Sequence, residues 1–542
     1  MSKIAHYLQE HLSGEVMDSI DARKYFASDS SILFQPPAVV IYPRNENDVR
    51  KAIRFSWQLA ERGRLIPIAA RGLGSDISGS ALTKGVLLVF PAHLNRILEL
   101  DNKDDYVTVE PGINFGKLQQ TLFTHAKFIP SYPANIDNST VGGVISNSTL
   151  GEKAFKYGSI TSAVKSMRVV LANGEVIIVK KLTKRELKKK LDLSTFEGEV
   201  YRGVNTLLEE NKELISNTNL DVMFNASGYN LGEVKTAKTF DLTPLLVGSQ
   251  STLGIITEAT LKTTPFNEDK TLLVASLADI NALQGMVNEF LSMKLKPSLF
   301  EVINKSLVEN VKNLNANYLK GIVDDSMREY MVFVEYDDAK SAKSIKRAAK
   351  IVRKYTDNVQ IVKDANEQEK ILKLRESSSV YIGQNEAGLK ASPIIEDAGV
   401  NPYKLGDLID GVNQIFNSVG LNKPAMWGHL GTGIMHFYPK LNLALVGDKQ
   451  KAIKIMDEYY KLVISLGGSI SSENSDGKLK SPYLEVQYGP EVYALLKKIK
   501  DVFDPYSMLA PGVKFGTSRE DLKQMMKPEF ALYQQFGHLP RS

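Results

Sequence analysis

The stretch IPIAARGLGSDISGSALTKGVLLVF (66–90) sets a glycine- and serine-rich loop between two apolar runs. A nicotinamide-dinucleotide fingerprint would require a strand, G-x-G-x-x-G and a helix, with an acidic residue about 20 positions further on. Gly72 and Gly74 supply the first two glycines, but Ile77 stands where the third belongs. No Asp or Glu occurs between Ile77 and Leu98, and GVLLVF (85–90) reads as a second strand where a helix is needed. The context is strand–loop–strand, which rules out the Rossmann reading. Two readings of the loop stay open: a nest of backbone N–H groups aimed at an anion, or an ordinary glycine-rich turn.

The chain has 542 residues, enough for two or three domains. It contains no cysteine, which excludes disulfides, thiolate nucleophiles, iron–sulfur clusters and cysteinyl cofactor links together. A formal charge of +5 is too small for this length to imply a nucleic-acid partner. No stretch approaches the ~18 apolar residues of a membrane span. The N-terminal MSKIAHYLQEHLSGEV reads as an amphipathic helix with no signal-peptide core, so a cytoplasmic location is expected. The run KKLTKRELKKK (180–190) reads first as a solvated helix face; contact with anionic lipid or an acidic partner is the other reading.

The spacing predicts a strand, a turn and a helix over 36–63, with Asn45 as cap and Val49, Ile53, Trp57 and Ala60 on one face. Asn173-Gly174 between apolar runs predicts a hairpin. From about residue 268, strand-like runs alternate with Lys-rich amphipathic helices, which predicts a second antiparallel sheet with helices. KPAMWGHLGTGIMHFYP (423–439) reads as a strand broken by glycines, and Ser518 with Asp521 as a capping box. The aromatic tail FALYQQFGHLP is expected to dock on the body or on a second subunit. The fold class is therefore α+β.

Three loops occur in order: ARGLGSDISGSA, YPANIDNSTVGGVISNS and LLVGSQSTLGIITEATL, with AVVIYPRNENDVRKAI upstream. This order resembles the FAD-linked oxidoreductases of the vanillyl-alcohol oxidase, or PCMH, type. Within them it is similar to the branch of D-lactate dehydrogenase, glycolate oxidase flavin subunit and D-2-hydroxyglutarate dehydrogenase. The resemblance implies a PCMH-type FAD-binding domain over 1–266 and an antiparallel-sheet cap domain with helices over 267–480. A helical segment, 481–542, would pack back on the flavin domain. It also implies non-covalent FAD, since covalent relatives carry histidine where this chain has Ser75. By the same resemblance Arg71, Gly72, Leu73, Gly74, Ser75, Asp76, Ser78 and Gly79 wrap the pyrophosphate. Pro133, Ser139, Thr140, Gly142 and Gly143 line pyrophosphate and ribose. Asn147, Lys156, Tyr157 and Gly158 approach the flavin ring or phosphates, and Gly254, Ile255 and Ile256 the adenine and ribityl chain.

On a plain strand the seven-residue gap between His429 and His436 points them to opposite faces, so the residues alone leave open two unrelated histidines or a pair brought together by a kink at Gly431 and Gly433. The resemblance makes them metal ligands with Glu473, a set suited to zinc or another divalent ion. It also makes Arg375 a clamp for a substrate carboxylate, against the plainer reading of a surface arginine. The chain departs from the family pattern where it matters. Asn474 replaces the histidine that serves as base, Thr432 and Ile434 replace an aspartate and an asparagine, Ala510 an asparagine, and Gln250 a glutamate. Asp476, two residues beyond Asn474, is a candidate substitute base if the loop refolds toward the flavin, and a metal-bound hydroxide is the other. The implied reaction is oxidation of a D-lactate-like 2-hydroxy carboxylate by hydride transfer to flavin N5. Electrons would pass to a quinone, a cytochrome or an electron-transfer protein. Alternatives are a sugar alcohol, lactone or phenol as substrate, or a flavin-binding protein whose redox site has decayed.

Overall fold

The computed structural model describes residues 2–527 except 217, 323–326, 339, 384 and 387, and the aromatic tail FALYQQFGHLP lies outside the described residues. Three sheets organise the chain. The first joins β1 (Glu15–Met17), β2 (Val39–Tyr42), β3 (Ile68–Arg71) and β4 (Val86–Val89) in the order β1-β2-β4-β3. Parallel pairing of β2 and β3 with β4 needs crossovers, and helix α1 (Glu46–Ala60) makes the first of them. Asn45 caps α1 by accepting from the Asp48 amide, and the buried face is Val49, Ala52, Ile53 and Ser56. The loop between β3 and β4 is the glycine-rich stretch.

The second sheet runs β5-β6-β9-β7-β8, from β5 (Ile97–Asp101), β6 (Tyr106–Val109), β7 (Val164–Val170), β8 (Val176–Lys180) and β9 (Ile255–Lys262). The β7–β8 hairpin turns at Asn173-Gly174, with Gly174 at φ +85°. Helix α2 (Val141–Asn147) packs Val141, Val144 and Ile145 into this core. The basic run forms α3 (Lys184–Leu191), with a Thr183–Glu186 capping box and no buried residue, as a solvated helix would. The third sheet is wholly antiparallel in the order β13-β10-β12-β11-β14-β15. Its strands are β10 (Thr271–Leu277), β11 (Leu299–Asn304), β12 (Tyr330–Tyr336), β13 (Val359–Val362), β14 (Met426–His429) and β15 (Ile434–Phe437). All of β10 and β11 is buried, because helices cover the sheet on both faces.

Two connections tie the sheets together. Lys153, buried, ion-pairs Glu335 of β12 at 2.9 Å, while Lys156 and Tyr157 both reach Asp337. At the other end of the chain, Met508 to Ala510 add to the β3 edge through Ile68, and helix α4 (Leu484–Phe503) packs among residues of the second-sheet core. Ser518 and Asp521 form the expected capping box. No helix among the described residues is long and apolar enough to cross a membrane.

Candidate active site

One cavity of about 770 Å³ runs between the glycine loop and the third sheet. At its first end Arg71 to Ile77, Pro133, Ser139, Thr140, Gly142, Gly143 and Asn147 line the wall. Among the described residues the backbone N–H groups of Gly72 through Ile77 find no acceptor within the protein. Successive orphan donors facing a cavity are what an anion's oxygens satisfy. The glycines are needed for closeness: a Cβ on Gly72 would sit 2.3 Å from Thr140 Oγ1, and one on Gly142 2.7 Å from Pro111 Cβ. Gly74, at φ +78°, also has the left-handed backbone that glycine adopts freely. This end suits the pyrophosphate of FAD.

The loop is braced from behind. Asp76 accepts from the Ser78 and Ser80 amides at 3.1 and 2.7 Å and from Asn147 Nδ2 at 3.1 Å. Gln250 Nε2 donates to Ser78 Oγ, Asn147 Oδ1 and the Asn474 carbonyl, and its Oε1 accepts from the Gly477 amide. One side chain thus ties together the loops around the cavity. As an uncharged amide it both donates and accepts, which a carboxylate in its place would not do.

Several expected flavin contacts lie elsewhere. Lys156 and Tyr157 are taken up by Asp337, and the Gly158 carbonyl by Ser131 Oγ. Gly254 packs on Val169, and Ile255 sits in the first-sheet core, while Ile256 does line the cavity. Ser78 and Gly79 support the loop from behind, Gly79 against Leu33.

At the second end the wall is Arg375, Glu376, Glu396, Asp397, Trp427, His429, His436, Tyr438, Glu473 and Asn474. The glycine-broken strand is a tight hairpin. Trp427 pairs with His436 and His429 with Ile434, so the two histidines are diagonal neighbours on one face, ring centroids 5.3 Å apart. The turn admits only glycine at two places. Gly433 has φ +75°, and a Cβ there would fall 2.0 Å from the Val400 carbonyl oxygen; Gly431 lies against the Phe155 ring.

Each imidazole is oriented by a carboxylate. His429 Nδ1 meets Glu301 Oε1 and His436 Nδ1 meets Glu396 Oε2, both at 2.6 Å. Both rings keep Nε2 for another partner. Burial works against the charged form of His429, but Glu301 outweighs it and holds the ring up at about 8. Burial, then neighbouring His429, keeps His436 below its ordinary value. Burial pushes Glu396 well above the usual carboxylate range. One ligand atom from each of His429, His436 and Glu473 lies within 4.8 Å of the others, and the three are 6, 7 and 6% exposed. Two imidazoles and a carboxylate, each imidazole backed by an acid, form a donor set that suits a divalent ion.

The remaining expectations need correction. Asp476 is no base: it is fully buried, ion-paired to Lys514 at 2.9 Å, and bonded by Ser227 Oγ and the Gly228 amide, away from the cavity. Asn474 lines the cavity, accepting from Thr149 Oγ1 at 3.0 Å. Arg375 also lines it, but its fork is not free. Nε and Nη2 engage Glu301 at 3.3 and 3.1 Å, and Nη2 meets Glu152 at 3.2 Å; these acids outweigh burial and keep it charged. Glu152, Glu301, Glu376 and Glu396 escaped the sequence reading. Glu301, a charge in the middle of SLFEVI, carried a signal: a charged residue in a buried strand needs a partner.

Residues 37–180 match the FAD binding domain family, and residues 266–513 the C-terminal domain family of the FAD linked oxidases. The chain is 27% identical over 522 residues to D-2-hydroxyglutarate dehydrogenase of Escherichia coli (strain K12), an alignment covering 93% of this chain and 50% of that one. It thus spans about half the length of that relative. Against glycolate oxidase subunit GlcD of Bacillus subtilis (strain 168) it is 26% identical over 501 residues, covering 92% of this chain and 93% of the other. Among solved structures, 4-ethylphenol oxidase from Gulosibacter chungangensis superimposes with TM-score 0.68 at 15% identity, covering 96% and 97% of the two chains. That likeness shows the fold.

Proposed function

The chain carries both domains of the PCMH-type FAD-linked oxidoreductases and aligns along its length with their hydroxy-acid branch, and from that premise we propose that it oxidises a 2-hydroxy carboxylate to the 2-keto acid. The observation that carries the reading is a single cavity with a nest of unsatisfied backbone donors at one end and His429, His436, Glu473 and Arg375 at the other. FAD, when bound, supplies a ring that takes up a hydride, and with it two electrons, from C2. The glycine loop and the wall of Pro133, Ser139, Thr140, Gly142 and Gly143 would hold its phosphates. At the redox end, Arg375 Nη1, which donates no hydrogen bond among the described residues, is the donor left for a substrate carboxylate. His429, His436 and Glu473 are the residues that would hold a divalent ion, zinc or another, which would polarise the substrate hydroxyl. Asn474 orients and accepts no proton. Imidazoles whose Nδ1 faces Glu301 and Glu396 and whose Nε2 would hold the ion have no site for the hydroxyl proton; Glu396, whose Oε1 borders the cavity without a hydrogen-bond partner, is the carboxylate placed to accept it. The electrons leave the reduced protein for an external acceptor.

Anaerobic titration of the FAD-loaded protein tests this. A D-2-hydroxy acid is expected to bleach the flavin band and yield an equivalent of 2-keto acid. Bleaching by a sugar alcohol, lactone or phenol alone would move the substrate class. A flavin left oxidised by all of them would make the protein a binder with a decayed redox site.

A further inference from the structure

Apart from the His429, His436 and Glu473 cluster, the redox end of the cavity is short of positive charge. Among the described residues lining the whole cavity, Arg71 and Arg375 are the only arginines, and no lysine lines it. Arg71 belongs to the phosphate end, beneath the glycine loop, where it donates to the Ser28 carbonyl. Arg375 is flanked by Glu152 and Glu301 and offers one remaining edge. Glu376, the next residue, lines the same wall together with Ser378, Ser379 and Ile382, and no hydrogen bond or ion pair reaches its carboxylate among the described residues. Deeper in, Glu396 Oε1 is buried, borders the cavity and also lacks a hydrogen-bond partner. Outside the His429, His436 and Glu473 cluster, the cavity therefore offers one edge of one guanidinium to an anion, and to a donor the Glu376 carboxylate and the single free oxygen of Glu396, whose Oε2 is held by His436.

We infer that the substrate of this site carries a single carboxylate, and that Glu376 receives a hydrogen-bond-donating tail, hydroxyl or ammonium, in place of a second carboxylate. The inference rests on the hydroxy-acid reading above. A single carboxylate uses the free edge of Arg375. A dicarboxylate would bring its second charge to a rim of serines and the exposed Glu376 carboxylate, where like charges repel and the nearby cations, Arg375 and Lys373, already face acids. A hydroxylated tail instead donates to Glu376 and exchanges hydrogen bonds with Ser378 and Ser379. Glu376 is thus a specificity residue that selects against one class of hydroxy acid as well as for another.

The test is anaerobic stopped-flow reduction of the FAD-loaded protein by D-glycerate, D-lactate and D-2-hydroxyglutarate. Wild type is expected to prefer D-glycerate to D-2-hydroxyglutarate by tenfold or more in kcat/KM. Glu376→Arg should shift that ratio toward the dicarboxylate by more than tenfold, and Glu376→Gln should shift it in the same direction by less. Equal or better use of D-2-hydroxyglutarate by wild type overturns the inference while leaving the hydroxy-acid reading intact. So does a ratio that Glu376→Arg leaves unchanged. Reduction by none of the three acids overturns the hydroxy-acid reading, and this inference with it.

Discussion

At the phosphate end of the cavity, recognition is done by backbone: Gly72 through Ile77 present unsatisfied N–H groups, and side chains such as Asp76 and Gln250 only brace them. At the redox end His429 and His436 sit on a paired hairpin and recognition is done by side chains, from Glu301, Arg375, Glu396, His429, His436 and Glu473. The first design tolerates changes of side-chain chemistry and fails on added volume. The second tolerates small changes of volume and fails on a lost charge or proton. The difference predicts which substitutions break each end. The largest effect belongs to Gly72→Val. Its Cβ alone falls 2.3 Å from Thr140 Oγ1 and its methyls point into the cradle. FAD affinity should fall on the order of 1000-fold, read by titrating apoprotein with FAD, a loss larger than the about 1–3 kcal/mol that the clash with Thr140 costs the apoprotein in thermal unfolding. An unchanged affinity would mean that the orphan amides do not hold the cofactor.

The mirror test at the redox end changes no volume. Glu301→Gln keeps the shape but removes the charge shared by His429 Nδ1 and Arg375. Loss of such a second partner weakens metal binding typically by about 10–100-fold. Zinc affinity measured by chelator competition should fall in that range, with FAD affinity unaltered. If FAD affinity fell and zinc affinity did not, the two ends would not be independent.

The two ends also differed in how legible they were. A run of glycines and serines between apolar strands advertises close backbone approach but leaves nest or turn open; the order of three such loops, through the family resemblance, pointed to Gly72 to Asp76 and to Pro133, Ser139, Thr140, Gly142 and Gly143, which do line the cavity. The hairpin at 426–437 could not be assigned from its residues alone, because the seven-residue gap fits two geometries and only the tertiary walls, Phe155 and the Val400 carbonyl, make a tight turn the solution. Asp476 misled for the same reason. Its distance in sequence from Asn474 is two residues, but its partners, Ser227, Gly228 and Lys514, come from remote segments that turn it away from the cavity. Lys156 and Tyr157 follow a flavin-loop pattern locally, yet Asp337, from the far sheet, takes both. Charged side chains are placed by partners that local sequence does not contain.

The smallest expected effect concerns a charge at the phosphate end that pairs with no acid among the described residues. Lys478 is buried behind the loop, its amide bonded to the Ser78 carbonyl and its ammonium donating to the Pro511 carbonyl at 2.6 Å. Burial pulls its pKa down to about 8; Asp29 opposes that shift and Lys84 adds to it. The unfolded chain returns the group to about 10.5. Between these values the unfolded state binds more protons than the folded one, so this lysine makes stability rise with pH over that window. Below pH 8 the full penalty applies and above 10.5 it is gone. Its slope cannot exceed about 1.4 kcal/mol per pH unit. Other groups titrate in the same range, so the measurement is a difference: urea unfolding of wild type and Lys478→Met from pH 7 to 10.5. Methionine keeps the stem and removes the titration, so the stability advantage of the variant should be greatest at pH 7 and shrink steadily toward pH 10.5. An advantage constant with pH would mean that Lys478 keeps its ordinary pKa in the fold, and that the phosphate end is wetter behind the loop than its packing implies.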